Sequence, residues 1–394
     1  MTGVLQGTLD GHGPFAVHAA ASISPAAQQQ ALAKHQSDLK ACAAAIRKGS
    51  KSFHLASLIL PGETRKAARA LYAFCRHSDD LIDDPRSDGR ALDQLRGRLN
   101  LIYEGKPADY ACDRAFHRTV DDYAIPKCIP DALLDGFALD IGGARYTTID
   151  DVKHYATCVA ATVGLMMALV MRTGDRNALA RAADLGIAMQ LTNIARDVGE
   201  DARNGRIYLP SEWMRDEGLD ADEFLANPEF SPALGRVVKR LLNEADHHYR
   251  LGHAGIEALP ANCRHAIRTA ALVYEEIGAE VRASGYDSVT RRAFTTNARK
   301  LALLVKARRA AIEQASAASA MFHSDADPSA ARLVNAGARA FKIRRIAQQQ
   351  CPETVPDDTN LERFLTILIR LQKDSQQQLR HQKLAARQRA ENIA

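Results

Sequence analysis

Two acidic stretches more than a hundred residues apart carry the residue types whose spacing could do chemistry: Arg76 to Asp84, RHSDDLIDD, and Gln190 to Asp201, QLTNIARDVGED. On helices, Asn193, Asp197 and Asp201 fall at i, i+4 and i+8, while Arg76, Asp79 and Asp83 fall at i, i+3 and i+7, so each set forms one polar stripe. Each four-residue step advances about 6 Å along the axis. Two such stripes facing each other make a cleft with carboxylate walls, where like charges repel by ~0.2–0.5 kcal/mol per pair on an exposed helix and by far more once desolvated. Something cationic must sit between them. Mg²⁺ suits the set, with Mn²⁺ as the alternative, because it takes oxygen ligands from one or two carboxylates and completes its shell with water and substrate phosphates. The implied ligand is a polyphosphate, best a diphosphate ester. A lone DDLIDD would more often be a solvated acidic helix end; two such motifs in helical patterns reverse that preference.

The elements that must position these residues are helical. Glu63 to Asp84 repeats apolar residues at Ala67, Ala70, Leu71, Phe74, Ser78 and Leu81, which leaves Tyr72, Arg76, Asp79 and Asp83 together on another face. Arg76 can neutralise Asp79 or Asp80, or fork onto a phosphate. Pro85 ends the helix just beyond the carboxylates. The second acidic helix begins near Asn177 and is apolar through Leu185, Ile187, Met189, Leu191, Ile194 and Val198; Gln190 and Arg196 share it and count as substrate-binding candidates. An earlier helix, Gln36 to Lys48, ends at Gly49 as at a C-cap. It leads into GSKSF, where Ser50, Lys51 and Ser52 suit an anionic oxygen and Phe53 is either a tunnel wall or a core aromatic. Helices then continue from 88 to about 172, with breaks at Gly105-Lys-Pro107, Pro126, Pro130 and Gly142-Gly143.

Composition agrees with an all-α chain of 394 residues: 46% of residues are apolar and only 6% aromatic, while Ala, Leu and Arg abound. The net charge of +5 without aromatic-interleaved basic clusters argues against nucleic acid and leaves anionic small substrates or a membrane surface. Seven cysteines, with no CxxC pair, read as reduced core residues of a cytosolic protein. The uncharged run Tyr155 to Met171 contains Thr157, Thr162 and Gly164 and reads as a buried central helix. No signal-peptide pattern opens the chain.

A helical NxxxDxxxD opposite a helical DxxxD, with the wording quoted above, resembles the squalene/phytoene synthase family, and its bacterial phytoene-forming members most. The resemblance covers about residues 36 to 310. It implies a single-domain isoprenoid-synthase-type helical bundle with a central cavity, in which Asp79, Asp83, Asn193, Asp197 and Asp201 hold Mg²⁺. By resemblance Ser50, Lys51 and Ser52 contact diphosphate, Tyr155 positions substrate or steadies a cation, and Arg206 and Tyr208 lie on a flap from Ala202 to Pro210. Tyr274 and Arg291 also carry over, with Arg292 as the neighbouring fallback, and Asp140 stands in the family's usual acidic position, the alternative being a plain helix-end residue. The segment YATCVAATVG departs from the family wording at Ala156, Thr157 and Ala161; Ala161 stands where a Gly would let the helix approach a prenyl chain.

The implied activity joins two geranylgeranyl diphosphates head to head through a cyclopropylcarbinyl diphosphate to phytoene, with release of two diphosphates. Because that route ends in proton loss, no NADPH is expected. The alternatives are squalene or dehydrosqualene synthesis from farnesyl diphosphate, a noncatalytic assembly factor of the same fold, and a terpene cyclase. Residues 1–33 read as a mobile arm, 34–312 as the catalytic domain, 313–329 as a linker and 330–394 as a basic helical extension. The amphipathic helix from Asn360 would suit an anionic bilayer, a partner subunit or solvent, which implies a cytoplasmic protein with possible peripheral contact at the inner membrane face. Oligomeric state stays open.

Overall fold

In a computed structural model, residues 24–82, 90–293, 295–309 and 318–349 are described, and among them there are helices and no strands. The chain runs α1 (Pro25–Gly49), α2 (Lys51–Ile59), α3 (Gly62–Ile82), α4 (Ala91–Tyr103), α5 (Ala111–Tyr123), α6 (Cys128–Ile141) and α7 (Ile149–Ala156). It continues through a π turn, Thr157–Ala161, into α8 (Thr162–Val170), then α9 (Arg176–Arg203), α10 (Ser211–Asp216), α11 (Ala221–Ala226) and α12 (Pro232–Gly255). Helices α13 (Ala261–Ala283), α14 (Asn297–Arg309), α15 (Ala318–Phe322) and α16 (Ala331–Gln349) follow.

Helix α9 is the axis of the fold. Asp175 caps it by accepting from the amides of Asn177 and Ala178, and residues buried around much of its circumference make it a core helix rather than a surface one. It packs against α8, the π turn, α12, α13 and α16. The run Ile149–Val170 is long and apolar enough to cross a membrane, yet most of it is buried in the bundle, as a central core helix should be. There α9 approaches the π turn so closely that a Cβ on Gly186 would lie 2.6 Å from Ala161 Cα and 2.7 Å from Ala160 O.

That contact corrects one expectation. Ala161 is fully buried against Gly186, so it does not narrow a substrate chain; the glycine needed for close approach sits on the opposing helix. Thr157, another departure, turns its hydroxyl to Ser329 at 2.6 Å.

Four further expectations change. Helix α1 reaches back to Pro25, so the arm expected over 1–33 is helical in its last part; Pro is well placed in a first turn and the following Ala, Gln and Leu favour helix. Gly49 ends α1 without a left-handed turn, and its smallness instead makes room for Tyr72, whose Oη would lie 2.3 Å from an added Cβ. Pro130 lies within the first turn of α6, where its missing N–H costs nothing, so it does not break the helix. The stretch expected to be a linker is helical over Ala318–Phe322 and docks on the bundle just beyond: Ala326 and Ala330 are buried, and the half-buried Asp327 orders its own turn through Ser329 and meets Lys153 at 3.4 Å. The amphipathic helix expected from Asn360 lies outside the described residues.

Candidate active site

A cavity of about 320 Å³ opens between α2, α3, α8, α9, α12 and α13. Its wall is mostly hydrocarbon, including Leu71, Val163, Met167, Leu185 and Met189. Val159, Ala160, Val163 and Gly164 supply the wall from the π turn and α8, so the departures at Ala156, Thr157 and Ala161 lie off it. Polar groups gather where Tyr72 and Cys75 of α3 meet Gln190 and Asn193 of α9. The next turn of each helix, about 6 Å on, carries Arg76 and Asp79 on one side and Arg196 and Asp197 on the other. Both acidic stripes therefore border one end of one apolar cavity.

On α3, Arg76 bridges Asp79 at 3.1 Å and Asp80 at 2.6 Å, with all three side chains about half exposed. Asp83, the remaining carboxylate of that stripe, lies outside the described residues. On α9, Asp197 is held from two sides: Arg196 Nε donates at 2.8 Å and Arg292 Nε at 2.7 Å to its Oδ1, with each Nη2 on Oδ2. Burial alone would raise the Asp197 carboxyl, but the hydrogen bonds from Arg196 and Arg292 outweigh it and hold the group below its usual range. Asp201 has the opposite fate. Burial, then the charges of Asp197 and Glu200, push it up to about 7 against the weaker pull of Arg206. Asn193 donates Nδ2 to Gln190 Oε1 at 3.3 Å, which leaves its Oδ1 buried without a donor.

These features fit a hard divalent cation. The donor set is all oxygen, one buried acceptor is unmet, and one half-buried carboxylate is kept from ionising by desolvation and by the negative charges beside it. Among the described residues no cluster of three or more carboxylate, His or Cys side chains is already drawn together for a metal. Asp197 meanwhile spends its charge on two arginines.

Aromatic rings line the same end of the cavity. Phe53 stacks on Tyr274 at 5.4 Å and meets Tyr72 edge-on at 6.3 Å, which answers whether it is wall or core: it is on the wall. Burial pushes the Tyr274 phenol up to about 12, and its hydroxyl feels Arg196, Tyr72 and Asp197 together.

Other sequence-derived candidates fall elsewhere. Ser50 Oγ accepts from Phe53 N at 3.2 Å, so that hydroxyl caps α2. Lys51 is exposed and Ser52 partly so; near Lys51 lies Lys300, whose ammonium is pulled down by burial and by Lys51 itself. Arg291 is exposed and faces Asp287, whereas Arg292 reaches Asp197 and, at 3.2 Å, Glu200. The carry-over to Arg291 is thus off by one residue. The reason is the loop: Asp287 accepts from the amides of Val289 and Thr290, and Gly199 N donates to Ser288 O at 3.0 Å, which docks the turn on α9 and aims the second arginine inward.

Tyr155 and Tyr208 are not on the cavity wall. They stack at 4.9 Å and both donate to Asp140, at 2.9 and 2.7 Å, with Tyr146 beside them. Asp140 in turn adds to the negative field on Asp201. The Asn204-Gly205 turn folds Arg206 back through its amide to Asp201 O at 2.9 Å, which brings the flap to the same corner. Asp140 and Tyr146 carried no spacing signal of their own, and Lys300 lies far from any motif.

Residues 46–300 match the squalene/phytoene synthase family. The chain belongs to that family. It is 48% identical to the phytoene synthase of Cereibacter sphaeroides over 314 residues, covering 77% of this chain and 88% of that protein. The 15-cis-phytoene synthase of Pantoea ananas is 40% identical, over 66% of this chain and 87% of that one. In fold the chain is similar to the crystal structure of a dehydrosqualene synthase in complex with ligand, at TM-score 0.65 and 32% identity, over 71% of this chain and 99% of that one.

Proposed function

We propose that this chain joins two prenyl diphosphates head to head as a phytoene synthase does, taking two C20 donors to a C40 hydrocarbon with loss of two diphosphates and a proton. The observation that carries the reading is that the two helices bearing the acidic motifs, α3 and α9, wall one end of an apolar cavity through Tyr72, Cys75, Gln190 and Asn193. Relatives 40–48% identical and called phytoene synthase support the product.

Asp79, Asn193, Asp197 and Asp201, with Asp83, would hold magnesium, which when bound disperses the charge of a departing diphosphate. The chain's own part follows from its side chains. Arg196 and Arg292 present two forks at Asp197, the shape that suits a diphosphate oxygen pair. Lys51 and Lys300 add positive charge at the start of α2. Phe53, Tyr72 and Tyr274 turn ring faces and edges toward the space where an allylic cation would form. The apolar wall beyond excludes the water that would quench it.

The second reading, dehydrosqualene or squalene synthesis from C15 donors, is favoured by the likeness to the dehydrosqualene synthase structure. Purified protein given farnesyl or geranylgeranyl diphosphate with Mg²⁺, with and without NADPH, separates the readings by the hydrocarbon formed. A C40 triene-centred product without NADPH is expected; no hydrocarbon from either donor, or turnover unchanged by Asp197→Asn, sinks the assignment.

A further inference from the structure

Residues 318–349 lie beyond the family-matched region yet are fastened to the far end of the cavity. Along α9 the wall runs from Asn193 to Ala178, fifteen residues or about 22 Å away from the charged end. There it is built from small residues, Ala178 and Ala182 of α9 and Gly252 and Gly255 of α12. Arg181 lines the same end of the cavity among them and is only 1% exposed. Its stem fills the space a side chain on Gly255 would take, since an added Cβ there would lie 2.2 Å from Arg181 Cβ.

The guanidinium points away from the cavity into the extension. Arg181 Nη1 donates to Met321 O, and Nη2 donates to Asp325 O at 2.9 Å. Its Nε lies 2.9 Å from Asp184 Oδ2, an ion contact without hydrogen-bond alignment. His248 Nδ1 lies 2.9 Å from the other Asp184 oxygen, and its far nitrogen faces Asp327 at 3.9 Å. Asp327 meets Lys153 at 3.4 Å, and the Ser329 hydroxyl meets that of Thr157 at 2.6 Å. A buried charge is costly unless paired, so Arg181 holds its place in this wall through Asp184 and through the two carbonyls that the extension supplies to its Nη atoms.

We infer that the extension, acting through Arg181, is the backstop that sets how deep the cavity is, and that Arg181 is therefore a positioning residue for donor chain length. This rests on the prenyl-donor reading above. Removing the guanidinium frees the backstop and lets the small-residue wall retreat; enlarging the wall from the cavity side shortens the space.

The test uses the full chain and compares kcat/KM for C15, C20 and C25 prenyl diphosphates with Mg²⁺. Arg181→Met should raise the C25:C20 ratio about tenfold, the scale of one or two methylenes in an apolar pocket, while Arg181→Lys keeps the native ratio. Ala182→Leu should shift preference toward C15 by about as much, and it keeps the idea open to refutation should Arg181→Met fail to fold. Loss of Tm with unchanged chain-length ratios in the folded variants overturns the inference and leaves the proposed function standing. Failure of the unaltered protein to use any of the three donors overturns both.

Discussion

Arg292 forks onto Asp197 across 95 residues of chain, with Nε 2.7 Å from Oδ1 and Nη2 3.2 Å from Oδ2, while Arg196 grips the same carboxylate from its own helix. One carboxylate thus holds two guanidinium forks at the end of the cavity where a diphosphate would arrive. Arg292→Ala should lower kcat/KM by about 10²–10³-fold if the fork turns to the departing diphosphate. Arg291→Ala, on the exposed neighbour, should change it by no more than about twofold. Steady-state kinetics on the pair decides between the two arginines, and equal losses would contradict the assignment.

Asp201 makes the metal response depend on pH. Its folded carboxyl titrates near 7, well above an ordinary aspartate, so between about pH 4 and 7 the folded state keeps a proton that the unfolded state has released. Without metal, stability should therefore fall as pH rises across that window and level off above it, and Asp201→Asn should flatten the slope. A divalent ion competes with the same proton, so Mg²⁺ should bind about tenfold more weakly at pH 6 than at pH 8. Thermal-shift titrations with MgCl₂ at the two pH values check this; equal midpoints would remove Asp201 from the ligand set.

Asp140 accepts from two stacked tyrosines at once, Tyr155 at 2.9 Å and Tyr208 at 2.7 Å. Asp140→Asn keeps the shape but weakens two charge-assisted hydrogen bonds, and should cost about 1.5–3 kcal/mol of stability along with flap order. Tyr208→Phe removes one bond and should cost less. Chemical denaturation gives the stability difference, and an Asp140→Asn protein as stable as the parent would show that the cluster bears no strain on its loss.

Gly186→Ala presses a Cβ into the backbone of Ala160 and Ala161, at 2.7 and 2.6 Å, where no side chain can step aside. Overpacking of this kind should destabilise the fold by about 1–3 kcal/mol. Gly49→Ala meets only the tip of Tyr72, so its effect should appear in KM more than in Tm. Calorimetry and kinetics on the two variants together separate packing from site geometry.

Much of this protein is legible in its local spacing. Period 3.6 marks α3 and α9, and the same period places Asp79 beside Arg76 and Asp197 beside Asn193, because residues three and four apart on a helix share a face whatever the rest of the chain does. What folding alone decided depends on contacts across long stretches of chain or on breaks in that period. The π turn at 157–161 adds a residue and shifts the phase, so only the packed structure shows that Val159 and Ala160 meet the cavity while Ala161 meets Gly186. The choice of Arg292 over Arg291 depends on a turn docked by Gly199, and the gathering of Tyr155 and Tyr208 at Asp140 on helices brought together by the core. Arg181 read alone is one basic residue in a helix; its burial against the carbonyls of Met321 and Asp325 arises only when the chain's later part folds back, because a side chain's surroundings are set by which distant surfaces the hydrophobic core draws together.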